Sequence, residues 1–511
     1  MDTRWVVFIF SLLSATCGWA EKQRKFKDDF LFGVSTSAYQ IEGGWNEDGK
    51  GESIWDHHLH KHPEVVIDFV NGDVACDSYH LYKRDVEMLR ELGVDFYRFS
   101  ISWSRVLPTG LPNTINEAGF AYYDNLIDEL LKYNIIPMVT LYHFELPQRL
   151  QLLGGWSNPL SVQWFQDYAG QVFKRYANKV KYWITINQPS VCMEPYAPPA
   201  LGDEDAVGAY ICVKHILLAH AAAYRLYEKE YKKKYKGQVG ISLSLNLYDP
   251  VDNRTESEEA AERARQFASG LYLNPIWSKE GGFPSVVKEL VAKVSKKEGF
   301  PKSRLPEFTE EENKALKGSA DFLGMNHYTT FLVYPESEKN VGELWYIGDL
   351  DVRITRGEKW EEAMSPWLKS APYGLYKACL YLNKHYDYPQ IIITEHGWST
   401  DTGLNDTGRI TVMKEYFKAL LLAIEDGTEV KGYSYWSLMD NLEWISGIME
   451  RFGLYEVDFH SENKTRTARK SALFYKHTIE KKIIDESWDI DDKDFKIEIS
   501  DRRMKKKKDE L

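Results

Sequence analysis

Ile391-Ile392-Ile393-Thr394-Glu395-His396-Gly397 opens with a run of β-branched residues that ends on the carboxylate of Glu395. Such a run reads as a strand, with its polar groups gathered at the C-terminal end. Seven further β-rich runs occur along the chain: Phe30 to Tyr39, Phe96 to Ser102, Pro137 to His143, Tyr182 to Asn187, Val239 to Asn246, Phe322 to Thr329 and Gly432 to Leu438. The segments between them carry helical periodicity, as in Tyr82, Val86 and Leu89 before Gly93, or Leu126, Ile127, Leu130 and Leu131 after an N-cap at Asn116. Strand and helix in alternation imply a parallel sheet. Eight repeats close into a single α/β (β/α)8 TIM barrel, and Gln40, Arg98, His143, Asn187, Asn326, Tyr328 and Glu395 fall at the ends of runs where such barrels carry their chemistry. A doubly wound open sheet is the competing architecture, but no Gly-rich phosphate fingerprint follows the first run. The stretch from Ser278 to Lys317 and the loop from Pro335 to Pro366 read as insertions beside the barrel mouth, on the C-terminal face.

With 511 residues, 43% hydrophobic and 14% aromatic, the chain can bury a large core and has no low-complexity signature. A formal net charge of −12 argues against a nucleic-acid partner. At the N-terminus, Arg4, an apolar run from Trp5 to Leu13 and small residues at Gly18 and Ala20 read as a secretory signal over residues 1–20. That run is too short to span a bilayer, and no other stretch approaches about 18 uninterrupted apolar residues, so no membrane insertion is expected. The last residues, Lys508-Asp509-Glu510-Leu511, form a retrieval signal for the KDEL receptor, which places the protein in the endoplasmic-reticulum lumen. The expected division is a signal at 1–20, one barrel domain over 21–485 and a charged tail over 486–511. Asn253, Asn405 and Asn463 are N-glycosylation acceptors in that compartment. Cys17 leaves with the signal, and Cys76, Cys192, Cys212 and Cys379 are too few and scattered for a disulfide framework and show no metal spacing.

Four ordered motifs narrow the reading: Phe32-Gly33-Val34-Ser35-Thr36-Ser37-Ala38-Tyr39-Gln40-Ile41-Glu42-Gly43, Tyr97-Arg98-Phe99-Ser100-Ile101-Ser102-Trp103-Ser104-Arg105, Thr140-Leu141-Tyr142-His143 and Trp436-Ser437-Leu438-Met439-Asp440-Asn441-Leu442-Glu443-Trp444. With these the chain resembles glycoside hydrolase family 1, the β-glucosidase family that includes plant myrosinases, across residues 26 to 480. The resemblance implies that Glu395 is the nucleophile of a retaining glycosidase, held ionised and oriented by Arg98 and Tyr328. It implies that Gln40, His143, Asn187, Asn326, Glu443 and Trp444 hold the sugar hydroxyls above a floor formed by Trp436, with no cofactor or metal. The residue types suit a sugar, since a hexose presents alternating hydroxyls around apolar faces, which amides, imidazole, carboxylate and indole match.

Three positions depart from the family pattern. Thr185-Ile186-Asn187-Gln188-Pro189 resembles the acid/base motif with the carboxylic acid replaced by an amide at Gln188. Phe144 stands where the family usually has Trp, and His396 where it usually has Asn. A carboxylic acid protonates the departing oxygen and then deprotonates water, help worth about 10²–10⁴ in rate, and an amide does neither. Ordinary alkyl glucosides are therefore expected to be poor substrates. A phenolic glucoside escapes the defect because its aglycone leaves as a stable anion, and a phenol acceptor escapes it because it attacks without a base. The expectation is a retaining β-glucosidase-type enzyme that forms a glucosyl adduct on Glu395 and favours transfer to phenolic or other acidic acceptors over hydrolysis. One alternative is a hydrolase restricted to glucosides with phenolic or thio leaving groups; the other is a noncatalytic sugar-binding protein of the endoplasmic reticulum. Glu194, Asp203 and Glu204, in the loop after the Gln188 motif, are candidate substitute bases.

Overall fold

The computed structural model describes residues 24–193, 206–335, 349–386, 389–490 and 497. Thirteen strands occur in this part of the chain: β1 (Leu31–Ser35), β2 (Phe96–Ser100), β3 (Ile136–Tyr142), β4 (Tyr182–Asn187), β5 (Gln238–Ser244), β6 (Leu247–Pro250), β7 (Phe322–Asn326), β8 (Thr330–Tyr334), β9 (Arg353–Thr355), β10 (Ile391–Glu395), β11 (Val430–Trp436), β12 (Tyr455–Val457) and β13 (Arg466–Ala468). Eight of them close into a parallel barrel in the order β1, β2, β3, β4, β5, β7, β10, β11 and back to β1. Each barrel strand is followed by a helix on the outside, beginning with Ser78–Leu92 after β1 and ending with Lys470–Lys481 after β11. The architecture is the (β/α)8 barrel expected from the alternation.

Side chains inside the barrel explain why one end is solid and the other chemical. Phe96, Met138, Ile184, Phe322 and Ile392, one from each of five strands, pack together as an apolar plug. Two residues further along four of these strands, on the same face by the period of two, stand Arg98, Thr140, Gly324 and Thr394, while in β4 the register shifts after Ile184 and Asn187 is the residue that meets Arg98. Inward positions thus change from apolar to polar along the strand direction, which leaves the C-terminal end free for a polar site. Gly33 on β1 lies against the Phe96 ring of β2, where an added Cβ would fall 2.4 Å from the ring edge.

Helix boundaries follow from the sequence with small changes. Helix Ser78–Leu92 buries Val86 and Leu89 and stops at Gly93, which takes φ of 73° at the C-cap. Helix Glu117–Lys132 starts at Asn116, whose side chain makes no capping bond and instead donates to the Asp48 and Arg105 carbonyls. Leu131 faces outward rather than joining Leu126, Ile127 and Leu130 in the core. The first run ends as a strand at Ser35, and Ala38–Ile41 forms a helical turn that carries Gln40.

The Ser278–Lys317 stretch, with helices Ser285–Lys297 and Glu310–Leu316, runs along the flank of helix Ala206–Tyr227, through Lys214 to Glu312 at 2.9 Å and Arg225 to the Ala315 carbonyl at 3.1 Å. The span Val207–Tyr235 is long and apolar enough to cross a membrane by composition, and here it packs against helix Ser161–Tyr176 as part of the outer layer. Cys192 and Cys212 form a disulfide, while Cys76 and Cys379 are free and buried. The signal, the retrieval tetrapeptide, Glu194, Asp203 and Glu204 lie outside the described residues.

Candidate active site

Glu395 ends β10 and Asn187 ends β4, and in both strands the pairing register shifts just before the last residue. A shift of this kind re-aims the side chain that follows it. Glu395 pairs with Asn326 and Asn187 with Ser242, so the carboxylate and the amide both enter the barrel mouth.

The Glu395 carboxylate is held at both oxygens. Arg98 Nη1 donates to Oε1 at 2.6 Å, and the Tyr328 hydroxyl donates to Oε2 at 2.9 Å. Arg98 is fully buried and spends its other donors on Thr140 Oγ1, the Thr394 carbonyl and Asn187 Oδ1, which fixes the guanidinium in one orientation. Burial, then the charges of Glu395 and Glu443, push the Tyr328 phenol well above its ordinary range, so it stays a neutral donor. Its backbone N–H, with that of Thr329, is anchored on Asn246 Oδ1 at 2.9 and 3.1 Å.

A chain of polar contacts runs across the barrel beneath this clamp. Ser242 Oγ donates to Thr394 Oγ1 at 3.0 Å, Thr394 Oγ1 to Asn326 Oδ1 at 2.7 Å, and Asn326 Nδ2 to Asn187 Oδ1 at 2.9 Å. Asn187 Oδ1 thus accepts from both Asn326 and Arg98, which turns its amide nitrogen toward His143 Nε2 at 3.1 Å. His143 must accept there, and its remaining donor is Nδ1–H, buried and without a partner among the described residues. Burial, then the Arg98 charge, hold this imidazole well below its usual pKa, so it is neutral.

Aromatic rings stack beside it. His143 lies 5.7 Å from Trp436 and 6.2 Å from Trp444 between ring centroids, both near parallel. Trp444 itself rests on Tyr39, Trp55 and Phe144. Gln40 Nε2 donates to Asn441 Oδ1 and the Leu442 carbonyl, each at 2.9 Å, and reaches Glu443 at 3.4 Å, so it ties the helical turn Ala38–Ile41 to the loop that carries Glu443 and Trp444. The Glu443 carboxyl is pushed up to about 8, first by desolvation and next by Glu450, against the pull of Trp436 and Gln40.

Gln188 follows Asn187 with φ of 42°, its N–H bonded to the Ser242 carbonyl at 2.8 Å. Its half-buried side chain makes no hydrogen bond to a described residue. Phe144 is buried, takes φ of 69° and gives its carbonyl to the Trp55 indole at 3.0 Å. All eleven candidate site residues therefore meet at one end of the barrel. Thr140, Ser242, Asn246 and Thr394 also belong to the framework of the site, and sequence reasoning passed over them because short hydroxyl and amide side chains near strand ends carry no signal of their own. Asn253, Asn405 and Asn463 lie elsewhere, all exposed, and Thr407 Oγ1 donates to Asn405 Oδ1 at 2.8 Å within its acceptor triplet.

Comparison with known proteins places the chain as a whole. Myrosinase 1 of Brevicoryne brassicae is 44% identical over 466 residues, spanning 89% of this chain and 98% of its own length. The human cytosolic β-glucosidase is 40% identical over 88% of this chain and 97% of its own length. Among solved structures, an aphid myrosinase superposes with a TM-score of 0.86 at 44% identity, covering 90% of this chain and 100% of its own. A rice β-glucosidase with a Glu changed to Gln, in a covalent complex with glucose, superposes with a TM-score of 0.82 at 36% identity, covering 88% of this chain and 98% of its own. The profile described as glycosyl hydrolase family 1 matches residues 22–484, and the chain belongs to that family of glycoside hydrolases.

Proposed function

We propose that this protein is a lumenal β-glucosyl-transferring enzyme that works through a covalent adduct on Glu395 and passes the sugar to a phenolic or similarly acidic acceptor more readily than to water. The observation that carries the reading is the carboxylate of Glu395 clamped by Arg98 and Tyr328; the reading takes Gln188 as the residue at the acid/base position of this mouth. In the first step a Glu395 oxygen bonds to the anomeric carbon and the glycosidic C–O bond breaks, with the electron pair leaving on the aglycone oxygen. A phenolate carries that charge without a proton. In the second step an acceptor phenolate bonds to the same carbon and the Glu395 carboxylate departs, so the ester is consumed and no proton shuttle is needed. Water must be deprotonated as it attacks, and the Gln188 amide has no lone pair basic enough to take that proton. That the rice relative with Gln for Glu is held as a covalent glucose complex supports the same balance of steps.

Arg98 and Tyr328 orient the nucleophile, while His143, through Nδ1–H, joins Gln40, Asn187, Asn326, Glu443 and Trp444 around the glycone over Trp436. Intact-protein mass spectrometry after mixing with an activated aryl β-glucoside tests the adduct. A glucosyl increment that maps to Glu395 and vanishes on adding a phenol supports the proposal; unmodified protein with bound glucoside intact would turn it toward the sugar-binding alternative. Similarity to myrosinases favours one second reading, a hydrolase restricted to phenolic or thio leaving groups. The secretory signal, the retrieval tetrapeptide and glycans at Asn253, Asn405 and Asn463 complete the proposal as a protein of the endoplasmic reticulum.

A further inference from the structure

In the proposed function, Glu443 and Trp444 hold the sugar, and both stand in a loop that folds back on itself. The Glu443 N–H donates to the Gly447 carbonyl at 2.7 Å, the Ser446 N–H to the Glu443 carbonyl at 2.9 Å and the Gly447 N–H to the Trp444 carbonyl at 3.2 Å. The backbone of this turn is uncommon. Trp444 takes φ of 49°, in the left-handed region, and Gly447 takes φ of 59° with ψ of −131°, where glycine enters freely and other residues do not. Conformations of this kind persist only where their surroundings over-determine them.

Gln40 holds the start of the turn through the Leu442 carbonyl. Its far end is held by a segment from the opposite end of the chain. The Ile67 N–H donates to the Ile445 carbonyl at 3.0 Å, and the Ile448 N–H donates to Asp68 Oδ2 at 2.8 Å, across 380 residues of sequence. Asp68 Oδ1 accepts from the Val70 N–H at 3.3 Å, an Asx turn around Phe69 at φ of 60° that aims the other carboxylate oxygen at the loop. A Cβ added at Gly447 would fall on the Asp68 carboxyl, so the glycine and the carboxylate fit each other. Among the described residues, the backbone of residues 444–448 is hydrogen bonded from outside its own loop at these two points alone, and no Lys or Arg pairs with Asp68. The carboxylate spends its charge on backbone N–H groups, which makes the bonds to it stronger than neutral ones.

We infer that Asp68 is a positioning residue for the sugar site: it holds the turn over residues 443–447 and thereby sets affinity for the glycone, although it touches neither the sugar nor Glu395. The inference rests on the reading of Glu443 and Trp444 as sugar-holding groups. With the tie in place the two side chains stand ready before the sugar arrives; without it, binding must first order the turn, and that shows as lost affinity. Glu395 is clamped separately, by Arg98 and Tyr328, so its attack on a bound sugar does not depend on Asp68.

Two variants test this: Asp68→Asn, which keeps the volume and one acceptor, and Asp68→Ala, which keeps neither. Calorimetry with an aryl β-glucoside in a Glu395→Gln background reads affinity, and stopped-flow release of the aryl group in the Glu395 protein reads the rate at saturation. Asp68→Ala is expected to weaken binding about tenfold to a hundredfold, with Asp68→Asn in the same direction by less. The saturating rate is expected to stay within about twofold. A variant that lost only global stability would melt earlier and bind as before, which overturns the inference, as does a slower saturating rate at unchanged affinity. Glu443→Ala is the control for the reading beneath. Weaker binding in Glu443→Ala with unchanged binding in both Asp68 variants overturns the positioning role alone, whereas unchanged binding in Glu443→Ala refutes the sugar-holding reading and this inference with it.

Discussion

Gln188 and a glutamate at the same site differ by an amide for an acid, so the consequence is confined to proton transfer. Gln188→Glu is expected to raise hydrolysis of alkyl β-glucosides by about 10²–10⁴ and to shift products from transfer toward glucose, as read from initial rates and product ratios. Tyr328→Phe removes one of the two donors to Glu395. A hydrogen bond to a charged group contributes about 1.5–3 kcal/mol, so adduct formation is expected to slow about tenfold to a hundredfold in stopped-flow release of the aryl group. Residues of this kind were legible in the sequence because Glu395, Arg98, His143 and Gln188 stand in dense motifs. Their supports were not. Nothing in the composition of a strand marks Ser242 or Thr394 as links in a hydrogen-bonded chain that ends at His143, because Ser and Thr in strands are ordinary.

At the scale of elements, the eight β-rich runs located all eight barrel strands, since a change from period two to period 3.6 survives in the sequence. Ends were harder to read. Ser35, where β1 stops, is followed by no Gly or Pro before Gly43, so the start of the turn Ala38–Ile41 read as more strand. The register shifts before Asn187 and Glu395 were also invisible, because a shift depends on the partner strand rather than on local residue type. Gly93 is a case where local chemistry sufficed. Its φ of 73° favours a residue without Cβ, and it ends the helix where the periodicity stops. Gly93→Ala is expected to lower stability by about 1–2 kcal/mol in denaturant unfolding and to leave kcat and KM unchanged, since the helix end is remote from the mouth.

For the molecule as a whole, buried titratable groups set opposing pH limbs. Burial holds His220, His327 and His396 down to about 3, 4 and 3, against 6.5 for the unfolded chain. Below 6.5 the unfolded state takes up protons that the folded state refuses, so stability falls as pH drops. Burial pushes Glu145 up to about 7 and Glu443 to about 8, against 4.5 unfolded. Their contribution is complete below 4.5 and is lost as pH rises through 7 and 8. Between 4.5 and 6.5 the three imidazoles outweigh the two carboxyls, and above 6.5 the carboxyls act alone. Melting temperature is expected to peak between about pH 6 and 7, with Glu443→Gln flattening the alkaline side. The central claim is that half of a two-carboxylate apparatus transfers glucose better than it hydrolyses glucosides. Chromatography with mass spectrometry of the products from an aryl β-glucoside, with and without an added phenol, tests it most directly, with Glu395→Gln as control. The account predicts a new β-glucoside of the phenol in excess of free glucose, and neither product from the control. Glucose as the sole product in the presence of the phenol would contradict it.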